Sequence, residues 1–514
     1  MTTTKNAPAR TKKGATARTK KPAGKAKAAA GKLKKAAAKT KPSTAGSTKP
    51  ATPASDGREV RAAAGKSMRR QVPLEAHAQL DGRGSNSDPV KLLEQQSADR
   101  VPELIPIRYG RMLVSPFTFY RGAALVMATD LAQGPRTDLT TQICGDAHLS
   151  NFGVFASPER QLVFDLNDFD ETHPGPFEWD VKRLAASLEI AGRDNELSRK
   201  KRRQVVLTAV ESYRLAMQDF ARQTNLDVWY AHMALQPGMP VLRTLQSKAT
   251  RRSVKADLEK ARTRDSLGSF KKMTESVDGR LRFASQPPLI VPVRELPLDE
   301  ETSADLEGWI SKVLDAYSRT LLSDRRHLIS QYKFMDIARK VVGVGSVGTR
   351  AWVVLMLGID HGDPLILQAK EATASVLEGF TETSPFESHG QRVVEGQRLM
   401  QAYGDILLGW HHFPDSMRPD YYIRQLRDWK GSFDVATLDP QALAVYAKYC
   451  AWTLARAHAR SGDRVAIAAY IDDQDVFDQA IADFSVAYAD KNEQDFARLQ
   501  EAASAGTISV QHGV

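Results

Sequence analysis

The chain has 514 residues, is 42% hydrophobic and 26% charged, and carries a formal net charge of +11. It is long enough for one bilobal domain or two domains, and no run of about eighteen apolar residues appears, which excludes a helical membrane span. Cys144 and Cys450 are the only cysteines, which excludes a disulfide framework and suits a reducing cytoplasm.

The positive charge is local. Residues 1–50 hold 15 Lys or Arg and no Asp or Glu, which leaves −4 for residues 51–514. The start is basic but has no apolar core segment, so it does not read as a secretory signal. Residues 1–64 are read as a disordered tail, rich in Lys and Ala and too poor in aromatic and aliphatic side chains to fold alone. The tail resembles the lysine- and alanine-rich tails of histone-like proteins. That resemblance implies non-specific binding of nucleic acid through counterion release, and a cytoplasmic, nucleoid-associated location. A solubilising extension has the same composition.

Residues 65–330 are expected to form a lobe that carries the reacting groups and a helical insert. Arg108, Arg111 and Arg121 surround Ser115-Pro-Phe-Thr-Phe-Tyr120, and a helix is predicted over 117–132. These arginines suit phosphate or an acidic substrate, and equally surface ion pairs. Next comes Cys144-Gly-Asp-Ala-His-Leu-Ser-Asn-Phe-Gly153, in which Asp146 and Asn151 lie five positions apart among small residues. Strands are predicted at 152–156 and 162–164, split by Ser157-Pro-Glu-Arg160. The second strand runs directly onto Asp165, and Asp168 follows one short turn later. Loop, hairpin and carboxylate together bring a proton acceptor and two or three oxygen ligands to one place. Mg²⁺ takes oxygen ligands and usually only one or two protein carboxylates. Asn151 and Asp165 would supply them beside the phosphates of ATP, leaving Asp146 to meet an acceptor hydroxyl. The plain alternative is a polar turn in which Asp and Asn cap the backbone. His148 has no His or Cys partner at zinc-like spacing and is read as structural. Asp180 precedes a helical pattern of Val181, Leu184, Ala185 and Leu188 and is read as its N-cap. Cys144 has no evident base and reads as a small packed residue.

A long amphipathic helix is predicted over 198–222, followed by further helices and a proline-rich stretch within 225–300. Residues 331–435 hold a second constellation. Apolar residues lead into Gly343, Gly345, Ser346 and Gly348, then a strand at 351–357, a turn at 358–364 and a strand at 365–370 that ends on Lys370. The three glycines permit close backbone approach to phosphate, with Ser346 among them, and Lys370 would neutralise its charge. A helix over 391–403 should give Lys370 an acidic partner; Glu395 is the choice and Glu387 the competitor. Strands are expected at 406–410 and 421–426. Residues 436–505 are expected to be helices packing on the catalytic lobe, among them 441–460, and 506–514 a flexible tail. His458 before Ser461-Gly-Asp463 lacks a following Asn and reads as a helix end and turn. No internal repeat is visible.

The loop at 144–153 resembles the catalytic loop of the aminoglycoside phosphotransferase and choline kinase branch of the protein-kinase-like fold, a Gly-Asp-x-His-x-x-Asn loop followed by a hairpin and an acidic turn. The resemblance implies that Asp146 accepts or orients the hydroxyl proton, that Asn151 and Asp165 bind metal with Asp168 as a second acidic ligand, that His148 buttresses the loop and that Asp180 braces it. Residues 341–370 resemble the nucleotide-binding lobe of a kinase, and residues 225–300 would be the acceptor-binding insert. Over about residues 65–505 the chain also resembles the bacterial DUF2252 family, grouped by fold with these kinases. The fold so implied is α+β, kinase-like and bilobal. The glycine loop follows the catalytic loop by nearly two hundred residues, the reverse of the usual order, so a circular permutation is expected. A swapped dimer, or a glycine segment that is no nucleotide lobe, would also account for the order. The expected function is ATP- and Mg²⁺-dependent transfer of the γ-phosphoryl group to a hydroxyl of a small molecule. Its alternatives are AMP transfer, a non-catalytic nucleotide-binding protein, and a nucleic-acid-associated protein acting through its basic tail.

Overall fold

Asp88 and Ser115 show how the N-terminal helices begin. In a computed structural model that describes residues 57–81, 88–235, 252, 256, 258–263, 266–297, 306–341, 343–413, 418–426 and 428–513, Asp88 accepts the Val90 N–H at the head of a helix with proline at its first position. Ser115 forms a capping box with Thr118 in the same way. Both satisfy backbone donors that a helix start leaves unpaired. Residues 1–56 of the expected tail lie outside the described residues, as does much of 236–265. The tail ends sooner than expected, because Arg58–Gln71 is a helix (α1). Its Gly65 sits against Ala466, where a Cβ would lie only 2.1 Å from the carbonyl oxygen. The absence of a side chain there lets two backbones approach and pins α1 to the body.

The chain then runs through α2 (Pro89–Ser97), α3 (Ile105–Met112), α4 (Pro116–Gly122) and α5 (Ala124–Leu131). One helix was predicted across the last two. It breaks at Ala123, with φ −112° and ψ 36°, because the Gly122 carbonyl turns to Arg108 Nη2 at 3.2 Å instead of continuing the ladder. Next come β1 (Thr140–Ile143), β2 (Phe152–Ala156), β3 (Leu162–Leu166), β4 (His173–Pro176), α6 (Phe177–Asp194) and α7 (Arg199–Arg222). β2 matches its predicted span. β3 runs two residues further than predicted, since Asp165 and Leu166 still pair with Gly153 and Phe152. α6 and α7 pack with α10 (Pro440–Ser461), α11 (Arg464–Ile471) and α12 (Val476–Ser504) in one helical core that includes Leu184, Leu188, Val206, Leu454 and Ile467. Asp463 ends one helix and caps the next through the Val465 and Ala466 N–H groups, so the turn expected after His458 is the one present.

The second assembly is a six-stranded antiparallel sheet in the order β12-β13-β11-β10-β9-β8. Its strands are β8 (Ile290–Pro292), β9 (Lys333–Lys340), β10 (Ala351–Leu357), β11 (Pro364–Ala372), β12 (Gly409–His411) and β13 (Asp420–Gln425). A two-residue strand, β5 (Met233–Ala234), extends the β2–β3 hairpin, and β6 (Thr274–Val277) pairs with β7 (Arg280–Phe283). Strand alternation assigns the faces of the large sheet. Val354, Met356, Leu365 and Leu367 pack with Ile310 and Tyr317 of α8 (Leu306–Arg319). Val353, Leu355 and Ile366 pack with Leu281 and Phe283 of the β6–β7 hairpin. The expected lobe boundary at 331 therefore falls inside this assembly. The predicted glycine loop, strand, turn and lysine strand all appear in order. The helix after them, α9, spans His389–Met400, while only Gly409–His411 of the strand expected near 406–410 pairs. Both assemblies belong to one compact unit. Among the described residues no helix is long and apolar enough to cross a membrane.

β2 is held on both sides. It pairs with β3, and Val154 exchanges backbone hydrogen bonds of 2.8 and 2.9 Å with Gly431. At Gly153 a Cβ would fall 2.4 Å from Asn167 Nδ2 and 2.5 Å from the Gly431 carbonyl. Gly153→Ala is expected to destabilise the protein by about 1–3 kcal/mol, as overpacking does. A thermal or urea midpoint equal to that of the wild type would show that the hairpin and the 428–431 segment are not packed in this way.

Candidate active site

The 144–151 loop is built on one face of α6. Asp180 is the fourth residue of that helix, beyond the N-cap position held by Pro176. Its carboxylate accepts the N–H groups of Cys144 at 2.6 Å and Gly145 at 2.9 Å, with His458 Nε2 at 3.3 Å behind it. Ser187 Oγ accepts the Leu149 N–H at 3.0 Å. Between them Arg183 reaches Asp146. Positions 180, 183 and 187 share a face at helical spacing, so a rigid element sets the loop. The brace expected of Asp180 is therefore present, and the N-cap is not.

Arg183 donates from Nε at 2.9 Å and Nη2 at 2.7 Å to the same oxygen of Asp146, Oδ1. It is itself held over the Tyr120 ring at 3.9 Å. Asp146 Oδ2 receives no hydrogen bond among the described residues; His148 Nε2 stands 3.7 Å from it. Burial raises the Asp146 carboxyl above its ordinary range, although Arg183 and Arg121 oppose the shift. Burial, reinforced by Arg121 and Arg183, pushes His148 well down, and its Nδ1 is buried without a partner among the described residues. Asn151 Nδ2 donates to the Asp146 carbonyl at 2.7 Å. That bond fixes the amide and leaves Oδ1 without a protein donor among the described residues.

These groups line a cavity of about 330 Å³, together with Asp168, Asp170, Gly343, Gly345 and Ser346. Segments nearly two hundred residues apart thus meet in one chain. Arg111 holds the Gly343 carbonyl, and Arg100 holds those of Gly345, at 2.9 Å, and Val347. In a trans peptide the N–H points opposite to the C=O. The N–H groups of Val344, Ser346 and Gly348 therefore point away from these arginines, and none has an acceptor among the described residues. Those of Val344 and Ser346 belong to residues that line the cavity and are donors available to an anion. Gly343 requires its glycine, with φ +65°. Gly348 lies outside the cavity lining; its carbonyl accepts the Val101 N–H at 2.8 Å.

Three expected assignments are corrected. Asp165 does not reach the cavity. It lies inside β3, fully engaged by Arg456 Nη2 at 2.6 Å and by the N–H groups of Leu166 and Ala402. The strand alternation that buries it leaves Asp168, three residues on, to line the cavity. Glu395 is not the partner of Lys370. It accepts from Arg398 at 2.9 Å, and the helix instead sends buried Arg392 to the carbonyls of Asp170, Thr172 and Thr373. Lys370 is buried and bonds Asp170 Oδ2 at 2.6 Å, with Asp168 Oδ1 at 3.5 Å. It holds the acidic turn and does not line the cavity. Asp170, missed in the sequence, also accepts Tyr422 Oη at 2.6 Å and Ser346 Oγ at 3.1 Å. Burial opposes its charge, but Lys370 and these hydrogen bonds outweigh it and hold the carboxyl at about 2. Asp168 shifts the other way, raised by burial and by Asp170.

Among the described residues Asp168 Oδ1 is buried and accepts no hydrogen bond, with Lys370 Nζ 3.5 Å away. Asp168 and Asn151 line the same cavity, and their oxygens are hard donors of the kind Mg²⁺ takes. Among the described residues no group of three or more His, Cys, Asp or Glu is arranged to hold a metal.

Residues 100–502 match the model of a family described as an uncharacterized protein conserved in bacteria, DUF2252. The chain belongs to the DUF2252 family. No curated protein and no solved structure matches it. The DUF2252 match spans the loop, the acidic turn, the glycine segment and the helix that carries Arg456. Of the residues missed, Arg183 had a signal, being three positions after Asp180 on a helix face. Asp170 lay in the run Asp168-Phe-Asp-Glu171, where spacing alone does not rank three neighbouring acids. Arg100 and Tyr422 had no local signal.

The Asp165–Arg456 pair gives a direct check. Asp165→Ala leaves a buried guanidinium uncompensated and is expected to cost about 3–5 kcal/mol, with much of the loss restored when Arg456→Met is added. Denaturant unfolding of the two variants measures this. A stable Asp165→Ala single variant would place the carboxylate elsewhere.

Proposed function

We propose that this protein is an ATP- and Mg²⁺-dependent phosphotransferase acting on a hydroxyl of a small molecule, with a kinase-like arrangement in permuted order. One observation carries the reading: a single cavity is lined by the Asp146–Asn151 loop, the Asp168–Asp170 turn and the glycine segment with unpaired backbone N–H groups. Phosphoryl transfer needs positioning and charge stabilisation more than covalent chemistry, and these three parts supply both. Their union within one compact unit favours a permuted chain over a swapped dimer.

In this reading the N–H groups of Val344 and Ser346 hold the phosphates. Asn151 Oδ1 and Asp168 would hold Mg²⁺, which would supply neutralisation of charge on the phosphate oxygens. Asp146 Oδ2 takes the hydroxyl proton as the acceptor oxygen bonds to the γ-phosphorus. The bond from that phosphorus to the β–γ bridging oxygen breaks, and ADP leaves with the electron pair. Arg183 keeps Oδ1 occupied, so the free oxygen is the one that faces the reactants. Lys370 acts through Asp170, fixing the acidic turn and drawing Ser346 onto it.

Thermal unfolding with and without ATP and Mg²⁺ tests the site. A ligand that binds only the folded state stabilises it by mass action, by about 2.7 kcal/mol at a hundred times its Kd. The wild type is expected to melt higher with both present, and Asp168→Ala to lose the shift. Asp146→Ala should keep the shift and lose about 10²–10⁴-fold in ADP release across an acceptor panel, the usual contribution of a general base. No magnesium-dependent shift at millimolar ATP would overturn the reading. Release of pyrophosphate in place of ADP would replace it with AMP transfer.

A further inference from the structure

The three arginines near the first helices have different fates. Arg108 is fully buried and bonded to Ser97 Oγ, Gln96 and the Gly122 carbonyl. Arg111 holds the Gly343 carbonyl. Arg121 lines the cavity, and its guanidinium makes no hydrogen bond or ion pair among the described residues; its Nε is buried without a partner. The other arginine lining the cavity, Arg100, is committed to the glycine segment.

The placement of Arg121 is specific. The charged groups that act on it are Asp146 and Asp168, the proposed base and metal ligand. Its own carbonyl lies 3.2 Å from where a Cβ on Gly345 would be, so the glycine segment passes directly over it. Arg121 is half-buried, and its Nε, fully out of solvent, has no partner among the described residues; a buried donor left in that state is rare. Its fork of donors matches phosphate oxygens. We infer that Arg121 contacts the phosphoryl group in transit between nucleotide and acceptor, stabilising charge on its equatorial oxygens from within the same chain. This inference rests on the phosphotransferase reading for its step, and on the unpaired guanidinium for its location.

The test compares wild type, Arg121→Met and Arg121→Lys by titration with ATP, ADP and inorganic tripolyphosphate in the presence of Mg²⁺, alongside thermal unfolding and ADP release. Since the Arg121 guanidinium bonds nothing among the described residues, Arg121→Met should melt at or above the wild-type temperature. ATP affinity should fall about tenfold, as for loss of one charge-assisted contact, with ADP affinity within about twofold. ADP release should fall by about 10²–10³-fold, the usual loss when one preorganised donor is removed, and Arg121→Lys should recover part of it. An unchanged ATP-over-ADP preference in Arg121→Met overturns the inference while leaving nucleotide binding intact. So does a lowered melting temperature with that preference kept, which would mean a structural role. If wild type binds tripolyphosphate but neither nucleotide, and Arg121→Met weakens that binding, the nucleotide reading fails and the anion contact stands. If wild type binds none of the three, both fail.

Discussion

The Asp170 carboxylate ties together segments that the chain order keeps far apart. Lys370 from β11, Tyr422 from β13 and Ser346 from the glycine segment all donate to it, while Arg392 from α9 holds its carbonyl. A buried ion pair alone is a poor source of stability, because desolvation offsets attraction. Here the lone pairs are filled by further donors, the condition under which such a cluster specifies one arrangement. The sheet assembly and the acidic turn that follows the 144–151 loop are therefore docked through a polar hub, and the cavity lies between the parts that hub joins. Lys370 is thereby a docking residue first, which changes the role that its strand position suggested.

The other fixed reference is α6. Its face at 180, 183 and 187 holds both ends of the 144–149 loop and the carboxylate between them. A loop braced from a helix keeps its geometry without relying on its own few contacts, and this leaves Asp146 Oδ2 and Asn151 Oδ1 without donors among the described residues. The glycine segment uses the same strategy with arginines as the braces. By gripping alternate carbonyls, Arg100 and Arg111 turn the intervening N–H groups outward. On each side of the cavity, unpaired polar groups are presented by neighbours that are themselves fully engaged. Preorganisation of this kind is what electrostatic catalysis requires.

The legible parts of the sequence were those set by short-range chemistry. The β2 hairpin strand, β10 and the lysine strand appear where alternation and turn residues put them, and the loop at 144–151 carries its own spacing. The errors share one cause. Asp165 and Glu395 were chosen by distance along the chain, and each points elsewhere in three dimensions. β3 pairs for two residues longer than its apolar run, so Asp165 enters the interior and meets Arg456. α9 turns Arg392 inward and leaves Glu395 half exposed beside Arg398. A single residue of register or a fraction of a helical turn decides such outcomes, and neither is written locally.

The amino-acid sequence by itself determined which segments are strands, loops and helices around the site, and that an acid, an amide and a glycine-rich turn would be available to it. Local propensities and turn chemistry suffice for that. Only the tertiary structure decided which acid faces the cavity, which cation remains unpaired, and that the two distant segments share one site. Those outcomes depend on long-range partners such as Arg456 for Asp165, and Lys370 and Tyr422 for Asp170. Burial makes each pairing nearly obligatory once the chain has folded, but nothing adjacent in the sequence specifies the partner.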